Sequence, residues 1–270
     1  MATTRTAYDD LPATVRTAIE DRTGPVIDVE TTSAGLNSQF SARVTGKAAV
    51  CHIKGLRSDH RWAWTQRREA EVNPYVYAVA PTLLWHIQAG GWDLLAFEAI
   101  HGHHADYRPG SPDLPRVADT LRHLGTLPCP DIELRRAEQR LHAYVTRPSD
   151  AELFAGDTLL HTDLNNENVL VTDDEQALLV DWAWATRGTP WLDAGYWVIW
   201  LMAAGGHTPH SAEAWAARIP AWNTAPQHAL DAFAGANAAL WEEIAGADPD
   251  PWTQRLLTAA RGWSAHRSTR

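Results

Sequence analysis

Residues 161–171 read HTDLNNENVLV, and residues 177–184 read ALLVDWAW. In the first stretch a carboxylate, Asp163, precedes an amide, Asn168, by five positions. Such a carboxylate accepts or orients the proton of an attacking hydroxyl, and an amide oxygen close by reaches a magnesium ion on nucleotide phosphates. The HxDLxxxN spacing therefore predicts a phosphoryl-transfer loop with Asp163 as base and Asn168 as metal ligand. A capped polar turn after a buried strand is the alternative.

The second stretch places a carboxylate at the end of an apolar run. Asp181 follows ALLV, thirteen residues after Asn168. A carboxylate that ends a buried strand is costly unless it is paired or bound to a cation. Because Mg²⁺ prefers oxygen ligands and retains several waters, one carboxylate and one amide suffice beside substrate phosphates. Asp181 is therefore predicted to be the main metal ligand, and a helix or turn cap is the alternative.

A lysine and a glutamate upstream complete this pattern. Only Lys47 and Lys54 are lysines, and Lys54 ends the predicted strand VCHIK. Glu69 lies fifteen residues further on in a predicted helix, where Glu71 occupies a different face. A strand lysine steered by a helix glutamate places a point charge on the α/β-phosphates of a nucleotide. Solvated side chains are the alternative for both residues.

The order of predicted elements defines two regions. The pattern predicts a helix over 11–22, then short alternating strands and a hairpin around residues 88–91. Together these elements indicate a mostly antiparallel sheet with one inserted helix, 61–72, which ends before Pro74. Helices over 115–126 and 131–146 follow, and the chain is predicted helical from Pro190 onward. We therefore expect an α+β, two-lobed fold: a β-rich N-lobe over residues 1–100, a larger helical C-lobe over 101–270, and a ligand cleft between them.

These motifs resemble those of the aminoglycoside phosphotransferase and choline-kinase-like family, which has a protein-kinase-like fold. HTDLNNENVLV and LLVDWAWATRGTPWLDAGYW stand where that family shows H-G-D-x-x-x-x-N, I-D-W/F and G-D-P-x-x-D. The resemblance implies that Asp163 is the catalytic aspartate and that Asn168 and Asp181 bind Mg²⁺. It also implies that His161 and Asp193 support the catalytic loop, and that ATP or GTP is the phosphoryl donor.

The N-terminal part is similar to the same family at two places. Residues 33–38, SAGLNS, resemble its nucleotide-positioning loop, for which a plain hairpin turn is the alternative. The residues of this loop expected at the nucleotide are Ser33, Gly35, Asn37 and Ser38. The segment FEAI, 97–100, falls where the hinge between lobes is expected, so the Glu98 carbonyl and the Ile100 N–H are implied to bind the adenine edge.

Two positions depart from the family pattern. Thr162 stands in place of the usual glycine, and Thr189 stands in place of an aspartate. A β-branched threonine restricts the backbone at position 162. The acid, the amide and the lysine are all present, so the resemblance implies an active enzyme.

Composition restricts the partners. The net charge of −10 argues against nucleic acid, and residues 101–270 hold 22 of the 33 acidic residues. This acidic excess indicates either a cationic acceptor or an ordinary acidic surface. Two cysteines outside any metal spacing, an N-terminus without an apolar segment and a longest apolar run of only 196–204 predict a cytoplasmic protein with no membrane partner.

Some polar residues are predicted to be solvated. His207 and His210 lack the spacing of a metal site, and the arginine-rich end, residues 266–270, is expected to fray. We expect overall a phosphotransferase acting on a hydroxyl of a small molecule, for example an aminoglycoside-like antibiotic or natural product. A kinase of Ser/Thr in a peptide and a non-catalytic nucleotide-binding regulatory module are the alternatives. The acceptor and the oligomeric state are left open, since residues 190–270 carry no shared motif.

Overall fold

The computed structural model describes residues 5–32 and 38–269. The chain divides into two compact units, which are described separately below. The first comprises residues 1–102 together with 179–183, and the second comprises residues 103–178 and 184–270.

The first unit is a five-stranded antiparallel sheet with two helices. The strands follow the order β1-β2-β3-β5-β4 across the sheet. The elements are α1 (Ala13–Thr23), β1 (Val26–Thr31), β2 (Phe40–Gly46), β3 (Val50–Arg57), α2 (Trp64–Val76), β4 (Leu83–Ala89) and β5 (Trp92–Glu98). Because apolar side chains alternate along these strands, one face packs on α1, and Val15 and Ile19 are fully buried there.

The predicted hairpin between β4 and β5 is confirmed. Gly90 and Gly91 connect the two strands, with φ angles of +55° and +77°. Two consecutive residues with positive φ form the tight turn whose twist matches that of the flanking strands, and glycine adopts this conformation without a steric penalty. The turn fixes the register of β5 on β4 and, through β3, the position of Lys54, which pairs with Leu95.

The predicted end of the inserted helix is wrong. Helix α2 continues through Pro74 to Val76. Pro74 has no N–H to donate to the Ala70 carbonyl, so one helical hydrogen bond is lost two residues before the helix ends. The buried Asn73 side chain fixes this last turn, because its Nδ2 donates to the Pro81 carbonyl and its Oδ1 accepts from the Leu83 N–H, each at 2.8 Å.

A short segment from late in the sequence belongs to the first unit. Residues 179–183 group with it, whereas the sequence division at residue 100 left them with the helical part. The Leu179 N–H donates to the Val79 carbonyl at 2.7 Å. This bond and the ion pair of Asp181 described below hold the segment in place.

The second unit is mostly helical. Its helices are α3 (Asp113–Leu124), α4 (Ala137–Leu141), α5 (Leu192–Gly205), α6 (Pro209–Ala216), α7 (Gln227–Ala245) and α8 (Pro251–Ser268). Its strands are β6 (Gly102–His104), β7 (Arg135–Arg136), β8 (Thr158–Leu160), β9 (Val169–Thr172), β10 (Ala177–Leu179) and β11 (Thr186–Gly188), in two three-stranded sheets, β10-β9-β6 and β7-β11-β8. Residues 192–201 of α5 are all buried, as expected for a helix surrounded by others.

Two expectations for the second unit are wrong. The helix predicted over 131–146 is reduced to α4, because Arg135 and Arg136 pair in parallel with Thr186 and Arg187 of β11. Residues 266–268 continue α8 instead of fraying, and Arg270 lies outside the described residues. Arg267 is buried and forms ion pairs with Glu213 at 3.3 Å and Asp231 at 2.8 Å.

The α+β class predicted from the sequence is confirmed. The first unit carries the antiparallel sheet, and the second carries most of the helices. Among the described residues, no helix has both the length and the apolar character needed to cross a bilayer.

Candidate active site

The first unit brings together three of the predicted site residues. Lys54 projects from β3, Glu69 lies on α2, and Asp181 follows β10. The Lys54 ammonium forms an ion pair with Glu69 and another with Asp181, at 3.3 Å from Oδ1. Its Nζ also lies 5.9 Å from the centre of the Phe97 ring. The lysine is thus fixed between two carboxylates rather than extended into solvent.

Burial and charge determine the protonation of this triad. Burial alone lowers the pKa of Lys54, but the carboxylates of Asp181 and Glu69 outweigh it and raise that pKa to about 12. Burial raises the pKa of Glu69 from 4.5 to about 6, against the opposing effect of Lys54. At neutral pH Lys54 and Glu69 are therefore ionised and their charges cancel, so the Asp181 carboxylate gives the triad a surplus of negative charge. That surplus fits a divalent cation bound beside Asp181.

Asp181 is held in an unusual backbone conformation. Its φ angle is +64°, in the left-handed region that residues other than glycine rarely adopt. The next residue, Trp182, donates its backbone N–H to Glu69 and its indole N–H to the Leu179 carbonyl at 3.1 Å. Strained backbone of this kind persists only where the surroundings determine it. Glu69 thus contacts Lys54 and also anchors the residue that follows Asp181.

The second unit brings Asp163 and Asn168 together. The Asn168 Nδ2 donates to the Asp163 carbonyl at 3.1 Å and to Asp163 Oδ2 at 3.0 Å. Both partners are acceptors, so the amide must direct its nitrogen toward them. The Oδ1 atom therefore points away from Asp163, which is the orientation a metal ligand needs. Asn168 is buried, and Asp163 is partly exposed.

Asp193 supports the start of the same loop. Its carboxylate accepts the backbone N–H of His161 at 2.9 Å and that of Thr162 at 2.8 Å. Burial raises the pKa of Asp193 from 3.8 to about 6, although both N–H bonds and the charge of Arg140 act in the opposite direction. His161 is fully buried, and its Nδ1 accepts the Asp163 N–H at 3.3 Å. The loop is thus held by backbone hydrogen bonds on the N-terminal side of Asp163.

Two residues that the sequence did not assign to the site support the loop after Asp163, Tyr107 directly and His207 through Tyr107. The buried Tyr107 hydroxyl donates to the Leu164 carbonyl at 3.1 Å. His207 Nε2 lies 2.8 Å from the Tyr107 carbonyl, and its Nδ1 lies 2.9 Å from the Ser211 hydroxyl. Burial lowers the pKa of His207, so the neutral ring donates from Nε2 and accepts at Nδ1. The prediction that His207 is solvated is therefore wrong.

The predicted nucleotide contacts remain predictions. Ser33, Gly35 and Asn37 lie outside the described residues, and the Ser38 carbonyl accepts a hydrogen bond from Arg5. Glu98 ends β5, and its carboxylate accepts the Thr82 N–H at 3.1 Å. Ile100 lies in the irregular segment that follows. In the described part of the chain, no group of three or more His, Cys, Asp or Glu side chains forms a metal cluster.

Solved structures share this fold along nearly the whole chain. The choline kinase LicA from Streptococcus pneumoniae aligns with a TM-score of 0.63 at 14% identity, covering 93% of this chain and 99% of its own. A thermostable mutant of the aminoglycoside phosphotransferase APH(4)-Ia, in a ternary complex with AMP-PNP and hygromycin B, aligns with a TM-score of 0.62 at 16% identity, covering 92% and 98%. The macrolide 2′-phosphotransferase MphH from Brachybacterium faecium aligns with a TM-score of 0.53 at 17% identity, covering 90% and 96%.

The chain therefore has the fold of the aminoglycoside phosphotransferase and choline-kinase-like enzymes. This confirms, at the level of the fold, the resemblance drawn from the catalytic-loop and I-D-W motifs. No protein-family profile matches the chain, and no curated protein matches it in sequence.

Proposed function

We propose that this protein is an ATP- or GTP-dependent phosphotransferase that requires Mg²⁺ and phosphorylates a hydroxyl group of a small molecule. The observation that carries the proposal is that the Lys54 ammonium pairs with the carboxylates of both Glu69 and Asp181. A lysine oriented by a helix carboxylate beside a second, metal-binding carboxylate is the arrangement that phosphoryl transfer uses on the nucleotide side. The fold and the AMP-PNP complex of APH(4)-Ia support the same activity.

On the donor side, Lys54 is proposed to bind the α/β-phosphates as a point charge. Glu69 orients the ammonium, and burial of the pair keeps it fixed. Asp181 and Asn168 are the residues proposed to hold Mg²⁺, which neutralises charge on the phosphates when bound. Glu98 and Ile100, with the loop that includes Ser38, are proposed to bind the nucleoside part.

On the acceptor side, Asp163 is proposed to accept the proton of the attacking hydroxyl. The hydroxyl oxygen forms a bond to the γ-phosphorus, the bond from that phosphorus to the β–γ bridging oxygen breaks, and the nucleoside diphosphate leaves. Asn168 holds the carboxylate through Oδ2, and Tyr107 and Asp193 fix the backbone on either side of it. These contacts limit rotation of Asp163, which places the base before substrate binds.

The acceptor is proposed to be a small hydroxylated molecule, as in the three enzymes compared above. A screen with ATP and GTP against aminoglycosides, other amino-sugars, macrolides, nucleosides, choline and Ser/Thr peptides tests this directly. Product is detected as a mass increase of one phosphoryl group, with Asp163→Asn as the control. Transfer to peptides alone would replace the small-molecule proposal. Nucleotide binding without transfer to any compound would favour a regulatory module.

A further inference from the structure

Thr162, the residue before Asp163, has a φ angle of +65°. For a β-branched residue this left-handed conformation is an outlier, because the side chain crowds the backbone. The direction in which the chain leaves residue 162 determines where the Asp163 carboxylate points. Something in the surroundings must therefore stabilise this conformation.

The Thr162 hydroxyl has two hydrogen-bond partners, the Trp184 carbonyl and the Arg140 guanidinium. The Thr162 hydroxyl donates to the Trp184 carbonyl at 3.0 Å. The Arg140 Nη1 donates to the Thr162 hydroxyl at 2.8 Å, to the Thr186 hydroxyl at 2.5 Å and, more weakly, to the Trp184 carbonyl at 3.4 Å. Together with the Asp193 bond to its N–H, these contacts satisfy the backbone N–H and the hydroxyl of Thr162.

Arg140 is an unusual group to find in this position. Within residues 5–32 and 38–269, no carboxylate lies within salt-bridge distance of it, and its hydrogen-bond acceptors are hydroxyls and a carbonyl. Its guanidinium carbon lies 5.6 Å from the centre of the Trp184 ring. A half-buried cation without a directly bonded anion loses hydration, and it gains in return its hydrogen bonds, the face of the Trp184 ring and the more distant charge of Asp193. The hydrogen bonds require a fixed direction of the guanidinium, whereas the attraction to Asp193 depends mainly on distance.

We propose that Arg140 is a positioning residue that holds Thr162 in its left-handed conformation and thereby aims Asp163. The guanidinium does so by joining the catalytic loop, through Thr162, to the strand that begins at Thr186. That Asp163 needs this aim for catalysis rests on the proposed function. The restraint on the loop itself does not, and it is measurable in a protein without any known substrate.

The test uses Arg140→Met, which keeps the length and packing of the side chain but removes its donors. The probe is hydrogen exchange, followed by mass spectrometry, in the peptide that covers residues 158–168. Because a left-handed threonine without support is disfavoured, exchange of this peptide should accelerate by about 5- to 30-fold. The matched control is Arg122→Met, which removes an exposed arginine of α3 that, within residues 5–32 and 38–269, pairs with Asp119 one turn away. That variant should leave exchange of the peptide unchanged.

A second background separates support of Thr162 from any other role of Arg140. Glycine adopts positive φ without help, so Thr162→Gly should abolish most of the acceleration that Arg140→Met causes. If the same acceleration occurs in the Thr162→Gly background, or none occurs in the native one, the proposal is wrong. Arg140→Lys keeps the charge near Asp193 but loses the planar fork. Full protection in that variant would show that charge, not geometry, restrains the loop, and would also overturn the proposal.

Turnover gives the second readout. With Mg·ATP, and hydrolysis to ADP as the assay until an acceptor is found, Arg140→Met should lower kcat by about tenfold while KM for ATP changes by less than about twofold. In the Thr162→Gly background the further loss should be less than about twofold. An equal fall of kcat in both backgrounds would show that Arg140 acts on substrate. A wild-type protein without kinase activity would refute the proposed function, and the exchange data would still decide the role of Arg140.

Discussion

The Asn168 amide nitrogen lies 3.0 Å from Oδ2 of Asp163, and 3.1 Å from the carbonyl of the same residue. One side chain thus holds both the carboxylate and the backbone of the proposed base. Because its nitrogen is directed there, its oxygen is directed elsewhere. The residue proposed to bind metal and the residue proposed to bind the acceptor are therefore positioned relative to each other by one side chain.

Replacing the proposed metal ligand should remove the metal dependence of nucleotide binding. In wild type, ATP is expected to raise the melting temperature only when Mg²⁺ is present, since the triad of Lys54, Glu69 and Asp181 carries surplus negative charge. In Asp181→Ala this Mg²⁺-dependent rise should disappear. The measurement is a thermal shift with and without chelator. A full ATP shift in the presence of chelator would contradict the metal assignment.

The chemistry of Lys54 predicts that arginine cannot replace it. Lys54→Arg keeps the charge, but a planar guanidinium does not fit the point-charge position between Glu69 and Asp181. We expect kcat/KM for ATP to fall by at least about tenfold, the equivalent of roughly 1.4 kcal/mol. Lys47→Arg, at the only other lysine, is the matched control and should be neutral. Activity of Lys54→Arg within about twofold of wild type would remove Lys54 from the site.

Two buried carboxyls predict a pH limit on activity. Burial raises the pKa of Glu69 and of Asp193, each to about 6. As the pH falls through 6, Glu69 loses its ion pair with Lys54, and Asp193 accepts the His161 and Thr162 N–H groups less well. Turnover of ATP should therefore decline below about pH 6.

The fold should survive this loss of activity. Both pKa values lie above their ordinary values of 4.5 and 3.8, so the folded protein binds these two protons more readily than the unfolded chain does. Between about pH 4 and 6 the contribution of these groups to the free energy of unfolding therefore increases as the pH falls. Circular dichroism at pH 5.5 should remain native, and activity should return at pH 7.5. Full activity at pH 5, or unfolding together with inactivation, would contradict this.

The order of elements was readable from the sequence because local signals and tertiary structure agree there. The Gly90–Gly91 turn, the alternating strands and the apolar α5 need no distant partner to be recognised. The same holds for the juxtaposition of Asp163 and Asn168, which lie in one loop. For Lys54 and Asp181, 127 positions apart, only the resemblance to known motifs indicated a common site.

The contacts that sequence reasoning missed are all made by residues without a motif. Tyr107 and Arg140 each form a hydrogen bond from a distant segment to the loop that carries Asp163, and neither has neighbours that distinguish it from a surface residue. Pro74 gave a false helix end, because a buried Asn73 fixes the last turn beyond it. The predicted fraying of residues 266–268 was wrong because Arg267 pairs with the buried Glu213 on α6 and with Asp231 on α7, partners that no local pattern reveals.

That buried arginine predicts a large contribution to stability. Arg267→Met removes the Arg267 partner of Glu213 in the interior of the second unit, where the Trp263 indole N–H also donates to this carboxylate at 2.9 Å. We expect the free energy of unfolding to fall by about 3 kcal/mol. Arg261→Met, which removes an exposed pair between α8 and Glu242 of α7, should cost less than about 0.5 kcal/mol. Chemical denaturation measures the free energy of unfolding of both variants. Equal losses would show that the burial of Arg267 does not increase its contribution to stability.

The most direct prediction concerns Asp163, which should be essential for transfer but not for nucleotide binding. Asp163→Asn keeps the shape of the side chain and its place beside Asn168, but it removes the proton acceptor. Since a general base contributes about 10²- to 10⁴-fold, kcat should fall by that order. Affinity for Mg·ATP should change little, because Lys54 and Asp181 are proposed to act on the donor side.

Both quantities must be measured on the same preparation, by turnover with the acceptor from the screen and by calorimetric titration of Mg·ATP. Loss of both would indicate a collapsed loop, and exchange in residues 158–168 would reveal it. Wild-type turnover by Asp163→Asn with a verified acceptor would contradict the role of Asp163 and favour nucleotide binding without catalysis.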